Sequence, residues 1–261
     1  LPGADLTADL ALLRDAALAA GQIARRHFGN GPETWDKGDG QGPVTEADLE
    51  IDAMLKTDLC AARPDHGWMS EETADGPDRL SRDKVFIIDP IDGTRAFIDG
   101  SKSFSHSLAI VESGTPVAAA IHLPMLDLTY LAARGQGATL NGLPIAPTGR
   151  DDLKDATVLG AKSNFADERW KGGCPPVQRT FRSSLAYRLA LVAEGRFDAM
   201  ITLRMAWEWD IAAGALIVSE AGGRIANRWG EALLFNNPHP QLDGVVAGTP
   251  VVADALLHRI V

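Results

Sequence analysis

The chain has 261 residues, 45% of them apolar, with 26 glycines, 15 prolines and 6% aromatics, the make-up of an ordinary globular enzyme and not of a collagen-like, repetitive or disordered chain. Its formal charge of -10 argues against an extended basic surface for gripping nucleic-acid backbone. Cys60 and Cys174 have no close His or Cys partner at zinc-ligand spacing, which fits a reducing compartment, and charges interrupt every short apolar run of the N-terminal stretch, so neither signal peptide nor membrane span is visible and a cytoplasmic location is expected.

From Ala8 to Phe28 apolar residues recur on one helical face, at Leu10, Leu13, Ala17, Ala20, Ile23 and Ala24, and predict an amphipathic helix that Gly29 and Gly31 stop. The glycine-rich stretch GDGQGP follows, then TEADLEIDAMLKTDL repeats the pattern through Ile51, Leu55 and Leu59. The middle turns to strands: Val85–Asp89, His106–Val111, Pro116–Leu123 and Leu128–Ala133, separated by Gly, Pro and Asp clusters. ESGTP between two of them predicts an antiparallel hairpin, and GQGATLNG carries further turn chemistry. Polar TGRDD near position 150 reads as a boundary between halves, 1–150 and 151–261. Beyond it ATVLGA, the helix SSLAYRLALVAEG, FDAMIT and the helix DIAAGALIVSEAGG alternate as in an α/β half.

The segment IIDPIDGTRAF is the most informative. An apolar strand delivers Asp89, Pro90 stiffens a turn, Asp92 follows three residues on, and Gly93-Thr94 opens a short helix. Such a turn offers two carboxylates and the carbonyl of Ile91, hard oxygen ligands of the kind magnesium takes. Amides at a helix start bind phosphate oxygens, which puts an anion site beside the metal site; the plainer alternative is an Asp-Gly turn and a strand-end surface aspartate. Asp48 and Asp210 also have local readings. Thr45-Glu46-Ala47-Asp48 has the form of a capping box, and Asp210 stands where the following helix needs an N-cap. Glu71, in SEET, reads locally as an acidic loop residue.

Their joint occurrence is what speaks for chemistry. DPIDGTRAF at 89–97, WDIAAG at 209–214, EAGG at 220–223, SEE at 70–72 and VTEAD at 44–48 resemble, in order, the motifs of the inositol monophosphatase superfamily, over essentially the whole chain. The resemblance implies an α/β (α+β) fold, a layered α-β-α-β-α sandwich, usually homodimeric, with two or three Mg2+ ions where its halves meet. It implies that Glu71, Asp89 and the Ile91 carbonyl bind one ion, and Asp89, Asp92 and Asp210 a second. Thr94 and Asp48 would position and deprotonate the attacking water, and the amides of Gly93 and Thr94 would hold the phosphate. Lys37 matches a lysine that often precedes the first motif, and reads equally as a solvated loop charge.

Phosphate-monoester hydrolysis is among the slowest of biological reactions, with enzymatic accelerations reaching ~10²¹-fold, whereas a positioned base contributes roughly 10²–10⁴. The Thr94/Asp48 pair therefore needs the ions, which stabilise charge on both sides of an in-line displacement. The expected substrate is a small phosphorylated metabolite such as an inositol or related polyol phosphate. Four departures bear on its identity. Ser70 replaces a glycine, Arg95 an asparagine, and Thr202-Leu203-Arg204 stand where inositol-specific members of the superfamily carry an acidic residue that hydrogen-bonds sugar hydroxyls. Ser183-Ser184 replace a Gly-Thr or Gly-Ser at the substrate edge. Ser184, Glu208 and Arg204 are thus candidate substrate contacts, with Arg204 placed for a second anionic group and Trp207 or Trp209 for ring stacking. These variations keep open a 3'(2'),5'-bisphosphate nucleotidase and a histidinol-phosphate phosphatase; a non-catalytic regulatory protein on the same fold is the alternative of a different class.

Overall fold

The computed structural model describes residues 2–38 and 42–261; the centre of the glycine-rich stretch after the first predicted helix, 39–41, lies outside them. The chain opens with α1 (Pro2–His27), the short pair β1 (Thr34–Asp36) and β2 (Pro43–Thr45), α2 (Glu46–Ala62), β3 (Gly67–Ser70), β4 (Lys84–Asp92) and α3 (Thr94–Ile98). A meander follows: β5 (Ser105–Glu112), β6 (Thr115–Leu123), β7 (Leu128–Ala133), β8 (Ala138–Leu140) and β9 (Leu143–Pro144). The remainder is β10 (Thr157–Leu159), β11 (Gln178–Thr180), α4 (Leu185–Ala193), β12 (Ala199–Trp207), α5 (Glu208–Glu220), β13 (Arg224–Ala226), β14 (Gln241–Gly248) and α6 (Pro250–Leu257).

Strands β3 to β9 form one seven-stranded sheet in chain order, and a five-stranded sheet runs β11-β10-β12-β14-β13. Helices α1 and α2 pack on the outer face of the first sheet, α4 and α5 lie between the sheets, and α6 covers the outer face of the second. The expected α-β-α-β-α sandwich is thus the observed architecture. The predicted hairpin at ESGTP is a two-residue turn: Glu112 pairs with Thr115, and Ser113 and Gly114 both have positive φ, the geometry whose twist suits a hairpin. Asn141-Gly142 does the same between β8 and β9.

The continuous apolar run of β4 follows from burial on both faces. Val85 and Ile87 point into the core shared with α4 and α5, whereas Phe86 and Ile88 point into the core under α1 and α2, as the two-residue strand period requires. Helix α5 is buried all round, from Ile211 to Val218, so its sequence shows little amphipathic pattern. It starts earlier than predicted, at Glu208 with Trp207 as cap residue, because β12 runs directly into it. Among the described residues no helix is long and apolar enough to cross a membrane.

Helices α4 and α5 meet at Gly214, where an added Cβ would stand 2.6 Å from Leu189 Cβ and 2.5 Å from its Cδ1. The collision at Leu189 Cβ, close to the backbone, leaves no rotamer change to relieve it. Gly214→Ala is therefore expected to lower stability by about 1–3 kcal/mol through overpacking, read as the shift of a urea unfolding midpoint with unchanged slope.

Candidate active site

Strand β4 does not turn at Pro90, as the sequence suggested; it continues to Asp92. Asp89 pairs with Ser107 and Asp92 with Ser105 on β5, so three steps on one strand match two on the other, a β-bulge. Proline is tolerated there because a bulged residue owes the ladder no N–H. The extra residue shifts the side-chain phase. Asp89 continues the face of Val85 and Ile87, and Asp92, which an unbroken strand would direct to the opposite face, joins it, while Ile91 falls in with Phe86 and Ile88 in the outer core. The Pro90 carbonyl is 2.5 Å from His106 Nδ1. Burial drives the His106 pKa down to about 3, so the ring is neutral and its Nδ1–H donates to that carbonyl.

The face carrying Asp89 and Asp92 looks onto the first turn of α5. Asp210 stands there, two residues inside the helix start at Glu208; it is not the N-cap its position in the sequence suggested. One carboxylate oxygen from each of Asp89, Asp92 and Asp210 lies within 4.8 Å of the others. Asp89 is 1% exposed, and among the described residues neither of its oxygens has a hydrogen-bond partner. Burial, then the charges of Glu71, Asp92 and Asp210, pushes its pKa well above the usual carboxylate range. Burial, then Asp92 and Glu71, does the same to Asp210. A buried carboxylate without a donor is costly, and oxygen donors converging on one point fit a hard divalent cation.

Glu71 follows β3, whose Ser70 pairs with Ile88 of β4, and its N–H donates to the Ile88 carbonyl at 3.2 Å; this sets it beside Asp89. Lys37 is no free loop charge. Its ammonium donates to Glu71 at 2.7 Å and Glu72 at 2.6 Å; burial lowers its pKa, but the two carboxylates prevail and hold it at about 12. Asp48 closes the capping box and also meets Thr94. Its Oδ2 accepts from Thr45 N–H at 2.9 Å, closing the capping box of α2, and its Oδ1 accepts from Thr94 Oγ1 at 3.3 Å. Thr94 Oγ1 also lies 3.1 Å from the Ile91 carbonyl. Gly93 caps α3 with φ 97°, a left-handed conformation that glycine adopts without strain.

A cavity of about 440 Å³ opens beside these groups, lined by Glu71, Gly93 and Thr94 and, further along, by Phe181, Arg188, Leu203 and Arg204. Two candidate substrate contacts lie elsewhere. Ser184 is fully buried: its hydroxyl donates to Asp92 Oδ2 at 2.6 Å and accepts from Tyr187 N–H, capping α4, so Ser183 lines the cavity in its place. Glu208 is also fully buried, because its carboxylate accepts from the N–H groups of Asn236 and Asn237 and from the Asn237 side chain. Trp207 and Trp209 stack on each other, 4.7 Å apart, and line a second hollow on the Lys37 side of Glu71.

Sequence reasoning missed the residues that hold these groups in place. Asp52, one turn after Asp48 on α2, accepts from Ser70 Oγ and Thr73 Oγ1, both at 2.5 Å, and so clamps the loop on either side of Glu71. Its signal was a carboxylate beside Ile51 on an otherwise apolar helix face. Ser105 and His106 were polar residues at the head of an apolar strand, and Glu72 was the second half of a motif read only for its first.

Raised carboxylate pKa values make the cluster a pH-dependent liability. Burial lifts Asp48 to about 6 and, with Glu71, Glu72 to about 7, so the folded state holds protons that the unfolded state has released above its own carboxylate pKa near 4. The cluster's stabilising share is present below that value and is lost as pH rises through 6 to 7. A divalent cation bound among these carboxylates would reverse the loss. Mg2+ at a hundredfold excess over Kd is expected to stabilise metal-free protein by ~2.7 kcal/mol at pH 8, read as a higher melting temperature, and to raise that temperature distinctly less at pH 5.

The profile of the inositol monophosphatase family matches residues 5–261. An inositol-1-monophosphatase of Mesorhizobium japonicum is 33% identical over 96% of this chain and 95% of its own length. A fructose-1,6-bisphosphatase/inositol-1-monophosphatase of Thermotoga maritima is 34% identical over 83% of this chain and 86% of its own. Among solved structures, the extragenic suppressor protein suhB of Bartonella henselae superposes with a TM-score of 0.80 at 27% identity, covering 96% of this chain and 97% of that one. With the same layers and a full-length match, this chain belongs to the inositol monophosphatase family.

Proposed function

We propose that the protein is a magnesium-dependent phosphomonoesterase acting on a small phosphorylated metabolite. The observation that carries this reading is Asp89, a buried carboxylate with no donor on either oxygen among the described residues, set beside Asp92 and Asp210. Asp89, Asp92 and Asp210 would hold one ion, and Glu71, Asp89 and the Ile91 carbonyl another. Magnesium bound there supplies Lewis-acid stabilisation of phosphoryl charge and a more acidic water. Thr94 Oγ1, tied to Asp48 Oδ1, orients the attacking water, and Asp48 takes its proton. A base with a pKa raised to about 6 by burial is matched to work near neutral pH. The amides of Gly93 and Thr94, at the start of α3, supply donors to the phosphate oxygens.

Inositol phosphate is the weaker form of the proposal. Leu203, 4% exposed, and Thr202 line the cavity at the place of the acidic residue that the family resemblance assigns to polyol hydroxyls, and Glu208 is committed to the 236–237 loop.

Asp92→Asn and Asp210→Asn should each lower kcat/KM by at least ~10²-fold, the scale on which removing a preorganised electrostatic group acts, at saturating magnesium and with the circular dichroism of the parent. Phosphate release at near-parental rates would overturn the assignment. Wild-type protein that releases no phosphate from any ester under any divalent metal would favour a non-catalytic role.

A further inference from the structure

We propose that the cavity carries a second anion subsite, built by Arg169, Arg188 and Arg204, so that the substrate is a phosphomonoester bearing a second anionic group. The inference rests on the phosphatase reading above and narrows it to a substrate class. All three arginines line the cavity whose other side is Gly93 and Thr94. Carboxylates outnumber basic residues 35 to 25 in the whole chain, and several arginines elsewhere, such as Arg25, Arg79 and Arg134, are paired with them, although among the described residues Arg95, also on the cavity, is not. Yet among the described residues none of Arg169, Arg188 and Arg204 forms an ion pair with a carboxylate. The acidic charges that bear on Arg188 are Asp92 and Asp210, which the metal reading already commits.

One arginine of the subsite is held in place before any ligand arrives. Arg188 is only 7% exposed. It is fixed by donating from Nε to the Arg182 carbonyl at 2.7 Å and from Nη2 to the Ser183 carbonyl at 3.0 Å, with the guanidinium 4.8 Å over the Phe181 ring. Its Nη1 donors make no hydrogen bond among the described residues. Arg204 owes its position to a second β-bulge: Thr202 pairs with Val245 but Met205 with Asp243, so the strand phase slips between them. Leu203 stays in the core with Ile201, and Arg204 is exposed at the cavity. Planar guanidinium groups bind phosphate and carboxylate through paired N–H donors. A neutral polyol would leave these charges uncompensated, and a substrate with a cationic tail would be repelled by them.

Paired substrates that differ only in the second group test the proposal. kcat/KM would be compared for adenosine 3',5'-bisphosphate against adenosine 3'-monophosphate, and for fructose 1,6-bisphosphate against fructose 1-phosphate, with histidinol phosphate as the cationic case. Wild-type protein should prefer the doubly anionic member of at least one pair by tenfold or more, the pair in which it does so identifying nucleotide or sugar as the scaffold, and should turn over histidinol phosphate least. In R204Q and R169Q, whose side chains are exposed, that ratio should fall by at least tenfold. Equal kcat/KM within both pairs, or a ratio untouched by R204Q and R169Q, would overturn the subsite while leaving the phosphatase standing. Calorimetric binding of the same pairs needs no turnover: an arginine-dependent preference without phosphate release would keep the subsite and sink the hydrolase.

Discussion

Repulsion among carboxylates brought together out of water is the constraint around which this molecule is arranged. Asp89 lies at the centre of it, with two unpartnered oxygens facing Asp92 and Asp210. Burial pushes all three towards their protonated forms, and the charges of neighbouring carboxylates add to this for Asp89 and Asp210, whereas the donors around Asp92 work against it. A fold tolerates such a cluster where a cation compensates it and where the side chains cannot swing apart to escape one another. The single-residue bulge in β4 meets the second condition. It places two aspartates three residues apart on the same face of a strand, where regular alternation would separate them.

Around the cluster the neighbours divide the work between holding and screening. Asp92 is held by the Ser184 hydroxyl and the Ala186 amide at the head of α4, so the second sheet's helices grip a residue of the first sheet. Asp52 clamps the two sides of Glu71, and Lys37 screens Glu71 from Glu72. His106, neutral in its buried place, takes up the Pro90 carbonyl that the bulge removes from the ladder. None of these groups lines the cavity; their part is to keep the carboxylates from relaxing.

Asp48 shows why local and functional readings of one residue need not compete. A carboxylate has two oxygens and about four lone-pair directions. One oxygen closes the capping box of α2 and the other receives Thr94, so the helix start that the box secures is also what points the carboxylate at the hydroxyl. Asp210 resolved the other way: the strand before it feeds straight into α5, the helix begins two residues earlier, and the aspartate has no capping duty. Ser184 and Glu208 looked like pocket residues by their place in the chain, but each is spent on a buried hydrogen-bond network.

Strands β4 to β7, the two central helices and the hairpin turns were legible in the sequence, because apolar runs, two-residue periodicity and Asn-Gly or Ser-Gly turns are local signals. So was the clustering of Asp89, Asp92 and Asp210, since the motifs keep these carboxylates in fixed spacing. The short strands β11 and β13, the long β14 and helix α6 were not read, nor was the bulge. Their existence depends on partners far away in the chain: β14 is strand-like only against β12, and the phase slip at Pro90 is defined only by its pairing with β5. The same holds for the arginines. Arg204 alone was singled out in the sequence; only the packing of α4, β12 and the 161–169 segment around one hollow brings Arg169 and Arg188 to it, because charge adds up in space and not along the chain.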